Sequence, residues 1–221
     1  MFKLPAAILW DMDGTIIDTE PAWVTAEKNL LQMYDAKFDA RDADDWVGIG
    51  LWELAQKIQV RGVPLTEDEI VKQLTDAVNS EIFSGELHWR PGAKKLLADF
   101  VALGVPNALV TMATRSQALR IVAELPEGTF KTITAGDDVP RPKPNPDPYL
   151  IGAASVQAKP KDCIAIEDSV TGVLSANSAG TFVIAVPNLV NLDTAPAHVT
   201  LNSLADTTAR DIVEMFNNQR Q

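Results

Sequence analysis

Five apolar residues in a row, Ala6-Ala7-Ile8-Leu9-Trp10, stop abruptly at Asp11-Met12-Asp13-Gly14-Thr15. An unbroken apolar run of that length predicts a strand buried on both faces, as in a parallel sheet. Beyond Thr15 the apolar spacing lengthens. Trp23, Ala26, Leu30 and Tyr34 recur every three or four residues, with Pro21 accommodated in a first helical turn. Leu51, Ala55 and Ile58 predict a short helix. Thr66 and Glu69 form a capping-box pattern ahead of another, with apolar positions at Ile70, Leu74, Ala77, Val78 and Ile82. No convincing strand interrupts residues 17–86.

From Arg90-Pro91-Gly92 onward helix and strand alternate. One helix carries Leu96, Leu97, Phe100 and Leu103 and stops at Gly104. A strand over 107–110 ends at Thr111, a helix opens at Ser116 and stops at Pro126, and a short strand follows at 131–134. Prolines at 140, 142, 144, 146 and 148 mark a turn region. A further helix precedes a strand over 163–166, which runs into Glu167-Asp168. Ser169 caps the next helix, Gly180 follows it, a strand covers 182–186, and Ser203 with Asp206 caps a last helix. This alternation implies an α/β protein with helices on both faces of a parallel sheet. The expected division is a core of residues 1–16 and 87–221, with a helical segment, 17–86, inserted after the first strand.

Composition narrows the function. Nineteen basic against thirty acidic residues give a formal charge of −11, which argues against nucleic acid or an anionic membrane as partner. An anionic small molecule remains compatible, because charge is screened beyond about 8 Å and the local cation in a cleft decides. The single cysteine, Cys163, excludes an internal disulfide and reads as a core residue; His88 and His198 lie in loop-like segments. No segment approaches the ~20 apolar residues of a membrane span, and the N-terminus lacks a signal-peptide pattern. A cytoplasmic protein, monomeric or weakly dimeric, is expected.

Parallel sheets bind ligands beyond the carboxyl ends of their strands. Asp11/Asp13, Thr111, the loop holding Lys143, and Glu167/Asp168 all fall at that edge. Each alone has an ordinary reading as a turn, a cap or an exposed lysine. Together they suit phosphoryl transfer through an aspartyl phosphate. A carboxylate attacks phosphorus without prior deprotonation, which suits Asp11. Two carboxylates one residue apart call for a cation, and Mg²⁺ favours a few oxygen ligands. Asp11, the Asp13 carbonyl and Asp168 supply them, with Glu167 in reserve as a ligand or support. Thr111 is placed to bond a phosphoryl oxygen, Lys143 to neutralise developing charge, and Asp13 to protonate the leaving oxygen and then deprotonate water.

Asp11-x-Asp13-Gly14-Thr15, the strand ending in Thr111, Arg141-Pro142-Lys143-Pro144 and Ile166-Glu167-Asp168-Ser169 resemble, in order, the four motifs of the haloacid dehalogenase-like hydrolase superfamily. The resemblance implies a Rossmann-like core with an inserted helical cap. It also implies Asp11 as nucleophile, Asp13 as acid/base, and Mg²⁺ on Asp11, Asp13 and Asp168. Asp18-Thr19-Glu20-Pro21 resembles the sugar-phosphate phosphatase and β-phosphoglucomutase branch. Glu20, Trp23 and Arg115 are candidate substrate contacts, and Trp46 and Trp52 candidate linings. Met112 departs from the Asn or small residue common after the Thr. The leading expectation is a phosphatase for a small phosphate ester, a sugar or polyol phosphate. A mutase is the runner-up, and the alternative of another class is a phosphoryl-dependent regulatory protein. That branch resembles a mutase through a His four residues after the hinge Thr and an Arg in a cap loop. Here Trp23 takes the first place, and Leu51, in Val47-Gly48-Ile49-Gly50-Leu51, the second.

Overall fold

The computed structural model describes residues 3–46, 49–85 and 87–218. Val47 and Gly48 of the cap-loop segment, and the expected boundary residue Glu86, lie outside the described residues. The strands are β1 (Ala7–Trp10), β2 (Asn107–Val110), β3 (Thr132–Thr134), β4 (Cys163–Glu167), β5 (Phe182–Ala185) and β6 (Val199–Thr200). They form one sheet in the order β3-β2-β1-β4-β5-β6, parallel throughout. Every residue of β1 is buried. Ile8 and Trp10 point into one apolar cluster, Ala7 and Leu9 into another on the opposite face, the two-residue alternation of a strand.

The helices are α1 (Glu20–Met33), α2 (Ala40–Asp45), α3 (Leu51–Val60), α4 (Glu67–Ile82), α5 (Ala93–Ala102), α6 (Arg115–Val122), α7 (Asp147–Ser155), α8 (Val170–Ser178) and α9 (Ala209–Asn218). Leu96 and Phe100 of α5 and Ile212 and Phe216 of α9 cover one face of the sheet. Tyr149 of α7 and Val173 of α8 cover the other. The four helices between β1 and α5 have an apolar cluster of their own. Trp23 and Leu30 of α1, Leu54 and Ile58 of α3, and Ile70, Leu74 and Val78 of α4 meet there.

This helical layer joins the sheet through two adjacent stretches of chain. Ile17 bridges Trp89 in antiparallel fashion. The Asp18 amide donates to the His88 carbonyl at 2.7 Å and the Arg90 amide to that of Ile16 at 2.8 Å.

Some boundaries differ from those expected. Helix α2, too short and polar to show a period, is set by its cap: Asp39 accepts from the Arg41 amide, and the Asp42 carboxylate accepts from the Asp39 amide. Helix α6 begins at Arg115 under a Thr114 cap rather than at Ser116, and ends at Val122. The last helix is capped by Thr208 with Asp211, not by Ser203 with Asp206. Ala77 and Leu103 are exposed and Tyr34 lies just past the end of α1, because the buried stripes are narrower than the sequence pattern. His88 and His198 are exposed and Cys163 is buried. Among the described residues no helix is long and apolar enough to cross a membrane.

Helix α4 does have the predicted capping box. The Glu69 amide donates to Thr66 Oγ1 at 3.3 Å, and the Thr66 amide donates to the Glu69 carboxylate at 2.8 Å. Thr66→Ala should lower unfolding free energy by about 1 kcal/mol. Denaturant titration reads this as a lower midpoint at unchanged slope; an unchanged midpoint would show that the box contributes nothing.

Candidate active site

Strands β1 and β4 are neighbours at the point where the strand order reverses, and their carboxyl ends open onto one crevice. Trp10 is level with Leu109 on one side and Ile166 on the other. The chain therefore delivers Asp11, Thr111 and Glu167 to the same edge. Lys143 reaches it from the proline-rich loop between β3 and α7. That loop is seated at several points: the Lys143 amide donates to Met112 Sδ at 3.4 Å, Arg141 makes two hydrogen bonds to Asp147, and Ser175 Oγ donates to the Asn145 carbonyl. Met112, the departure from the usual motif, thus holds the lysine loop in place.

The Lys143 ammonium is buried and all its donors are engaged. It donates to Asp11 Oδ1 at 2.6 Å, Glu167 Oε1 at 2.6 Å and the Val110 carbonyl at 3.1 Å. Burial works against its charge, but Asp11 and Glu167 outweigh burial and hold it protonated. Tyr149 donates its hydroxyl to Glu167 Oε1 at 2.6 Å. The other Glu167 oxygen accepts from the Asp168 amide at 3.1 Å and from Ser169 Oγ at 3.2 Å. Glu167 is thus committed to positioning Lys143 from beneath.

Asp11 Oδ2 and Asp168 Oδ2 are buried without a hydrogen-bond partner. One ligand oxygen each from Asp11, Glu167 and Asp168 lie within 4.8 Å of one another. Burial, then the charge of Glu167, pushes the Asp11 carboxyl up to about 8; burial, then Asp11 and Glu167, pushes Asp168 well above the usual carboxylate range. Three carboxyls share one ammonium, so negative charge is in excess there and a further cation would relieve it. Two orphaned oxygens of hard character, side by side, fit Mg²⁺. Gly14 makes room for them. Its φ is +81°, and a Cβ there would lie 1.9 Å from Asp168 Oδ2.

Asp13 is held from two directions. Thr111 Oγ1 donates to its Oδ2 at 3.2 Å from the sheet, and Thr19 Oγ1 to its Oδ1 at 2.5 Å from the start of α1. Trp23 on α1 also favours the ionised form of Asp13. Burial raises the Asp13 carboxyl above its ordinary range, and the Thr19 and Thr111 bonds oppose it. Thr19 occupies the N-cap position of α1 but makes no side-chain cap bond; its hydroxyl serves Asp13 instead.

Core and helical layer face each other across a partly open cavity. Asp11, Asp13, Lys143 and Asp168 line one side; Glu20, Trp23, Glu27 and Trp46 are among those lining the other.

A family model for haloacid dehalogenase-like hydrolases matches residues 8–186. The chain belongs to that family. It is 34% identical to the bifunctional riboflavin kinase/FMN phosphatase of Arabidopsis thaliana over 92% of its own length, and spans 55% of that protein. It is 32% identical to a Drosophila melanogaster protein named as a probable pseudouridine-5'-phosphatase, over 90% of this chain and 89% of the relative. The solved β-phosphoglucomutase of Clostridium difficile has the same fold, with a TM-score of 0.88 over 98% of this chain and 99% of that one at 23% identity. The chain is a phosphoric monoester hydrolase of the sugar-phosphate phosphatase branch.

Not every expected contact of this hydrolase reaches the cavity. Arg115 is held away from it by Asp138, with which it makes two side-chain hydrogen bonds, and by the Ile133 carbonyl. Trp52 is part-exposed and donates its indole N–H to Asp68 at 2.9 Å. Thr111 lies beneath the cavity, its hydroxyl donating to Asp13 and accepting from the Ala113 amide at 3.0 Å. Two buried residues are newly placed. Tyr149 carried no sequence signal. Glu27 did: an acid within the Trp23–Ala26–Leu30 apolar stripe.

Burial, then Asp13 and Asp18, pushes Glu20 up to about 7; burial, then Glu20 and Asp42, pushes Glu27 up to about 8. Their ordinary value is 4.5. Folding therefore takes up protons between about pH 4.5 and 8, so stability is greatest at the acid end of that window and falls as pH rises through it. The loss should be on the order of a few kcal/mol. Denaturant unfolding of chelator-treated protein at pH 5, 7 and 9 checks this, and stability rising with pH would contradict it.

Proposed function

We propose that this hydrolase is a Mg²⁺-dependent phosphatase acting on a small phosphorylated metabolite, a sugar or polyol monophosphate, through a phosphoryl group carried by Asp11. The observation that carries the reading is the pair of unpartnered, buried carboxylate oxygens of Asp11 and Asp168, beside a lysine already clamped to Asp11. Asp11, Asp168 and the Asp13 carbonyl would hold Mg²⁺, which when bound supplies positive charge to the phosphoryl oxygens.

Lys143 fixes Asp11 Oδ1 and places a permanent positive charge next to the reacting group. An Asp11–phosphorus bond forms as the phosphorus bond to the leaving oxygen breaks, and Asp13 gives that oxygen its proton. A water then attacks the aspartyl phosphate, Asp13 takes its proton, the Asp11–phosphorus bond breaks, and inorganic phosphate leaves. Asp13 suits both duties because burial favours its protonated form, while Thr19 and Thr111 favour the ionised one. The helical layer acts as the cap that closes over the site and limits water. Trp23 and Leu51 line the cavity where the mutase resemblance calls for a His and an Arg. A second phosphate therefore finds no grip there, which favours hydrolysis over transfer within a bisphosphate.

Asp11→Asn should abolish phosphate release from a panel of phosphorylated metabolites while the protein still folds, as read by an unchanged far-ultraviolet circular dichroism spectrum. Near-parental turnover on any of them would rule out the Asp11 route. Chelation of the parent should likewise stop release, and Mg²⁺ should restore it.

Asp13→Asn separates the two half-reactions. An activated aryl ester needs little protonation, so Asp11 is still phosphorylated, whereas hydrolysis lacks its base and slows by about 10²–10⁴-fold. Intact mass should show one added phosphoryl group during turnover. No accumulation with an activated ester would leave Asp13 an orienting group only.

A further inference from the structure

Glu27 has no part in the reaction just described. It follows Glu20 by seven positions and Trp23 by four, so the three side chains lie on one face of α1. That face lines the cavity across from the reacting residues. Glu27 is 4% exposed, and no hydrogen bond or ion pair among the described residues engages its carboxyl. A mostly buried carboxyl that opens only onto the cleft and has no protein donor is placed to take a donor from a ligand bound there.

The surroundings say what that donor belongs to. Lys143 is the one cation among the described lining residues, and Asp11, Glu167 and the Val110 carbonyl already occupy it. The helical wall otherwise offers Trp23, Trp46, Leu51 and Leu54. Apolar faces next to a hydrogen-bond acceptor suit a carbon skeleton that carries hydroxyls. A second phosphate or a carboxylate on the leaving group would meet acids and no free cation.

We infer that Glu27 is a specificity-determining residue that accepts hydrogen bonds from the hydroxyls of a neutral, polyhydroxylated leaving group. The inference rests on the phosphatase reading and adds to it which phosphate esters are selected: sugar or polyol monophosphates over bisphosphates and phosphorylated acids.

The test compares the full-length parent with Glu27→Gln and Glu27→Leu in Mg²⁺. The substrates are glucose 6-phosphate, glucitol 6-phosphate, fructose 1,6-bisphosphate, phosphoglycolate and p-nitrophenyl phosphate. For the parent, kcat/KM should be higher on the two sugar and polyol monophosphates than on the bisphosphate and the phosphorylated acid. In Glu27→Leu the ratio of kcat/KM for those monophosphates to that for p-nitrophenyl phosphate should fall by about 10–100-fold, with Glu27→Gln intermediate. Glu27→Leu should also melt about 3 °C above the parent, because it removes a buried carboxyl that has no donor. Equal losses on sugar and aryl esters, a parental preference for the bisphosphate or the acid, or a lower melting temperature in Glu27→Leu would each overturn the role of Glu27. Absence of phosphate release by the parent from every ester, p-nitrophenyl phosphate included, would instead overturn the phosphatase reading beneath it.

Discussion

The site depends on one ammonium shared between two buried carboxylates and a carbonyl. Lys143 is inaccessible to solvent, and its charge is tolerable only because Asp11 and Glu167 sit on it at hydrogen-bond distance. The same contact fixes the Asp11 carboxyl at the mouth of the cleft. Glu167 in turn is held by Tyr149, Ser169 and the Asp168 amide, so the lysine's position follows from strand β4 and the helices packed on it. Space for the network comes from two glycines. A Cβ at Gly172 would meet the Glu167 carboxylate at 1.9 Å, as one at Gly14 would meet Asp168. The arrangement leaves more carboxyls than cations at a buried site. That imbalance explains why two oxygens lack partners and why a divalent cation is the natural complement.

The helical layer completes this network. Thr19 forgoes capping α1 and donates to Asp13, which Thr111 holds from the sheet side. The position of Asp13 is therefore tied to the seating of α1 over the sheet. The two adjacent chain stretches near Ile17 and Trp89, bridged to each other, are the joints between the helical layer and the sheet.

Much of this was readable in the chain because the decisive residues sit where the hydrophobic pattern breaks. Asp11 ends the run over residues 6–10, Thr111 ends β2, and Glu167-Asp168 ends an apolar strand; a parallel sheet then brings all three ends together. Lys143 was readable as the cation of the proline-rich loop. Other features depended on tertiary structure. Asp42 belongs to a helix with almost no apolar face, so α2 is visible only through its cap. Arg115 had an equally good partner in Asp138, which periodicity does not register. Tyr149 follows a proline and looks like any core aromatic until the fold sets its hydroxyl on Glu167. Glu27 was visible as an acid in an apolar stripe, but only the cavity gives that anomaly a meaning.

The lining of the cleft bears on what it can hold. Its sheet side carries Asp11, Asp13, Lys143 and Asp168, its helical side Glu20, Trp23, Glu27, Trp46 and Leu51. Lys143 is the one cation among the described lining residues, and Asp11, Glu167 and the Val110 carbonyl already engage it. An anionic ester entering this cleft therefore depends on a further cation held at the carboxyls, which ties substrate binding to the same imbalance that leaves Asp11 Oδ2 and Asp168 Oδ2 without partners.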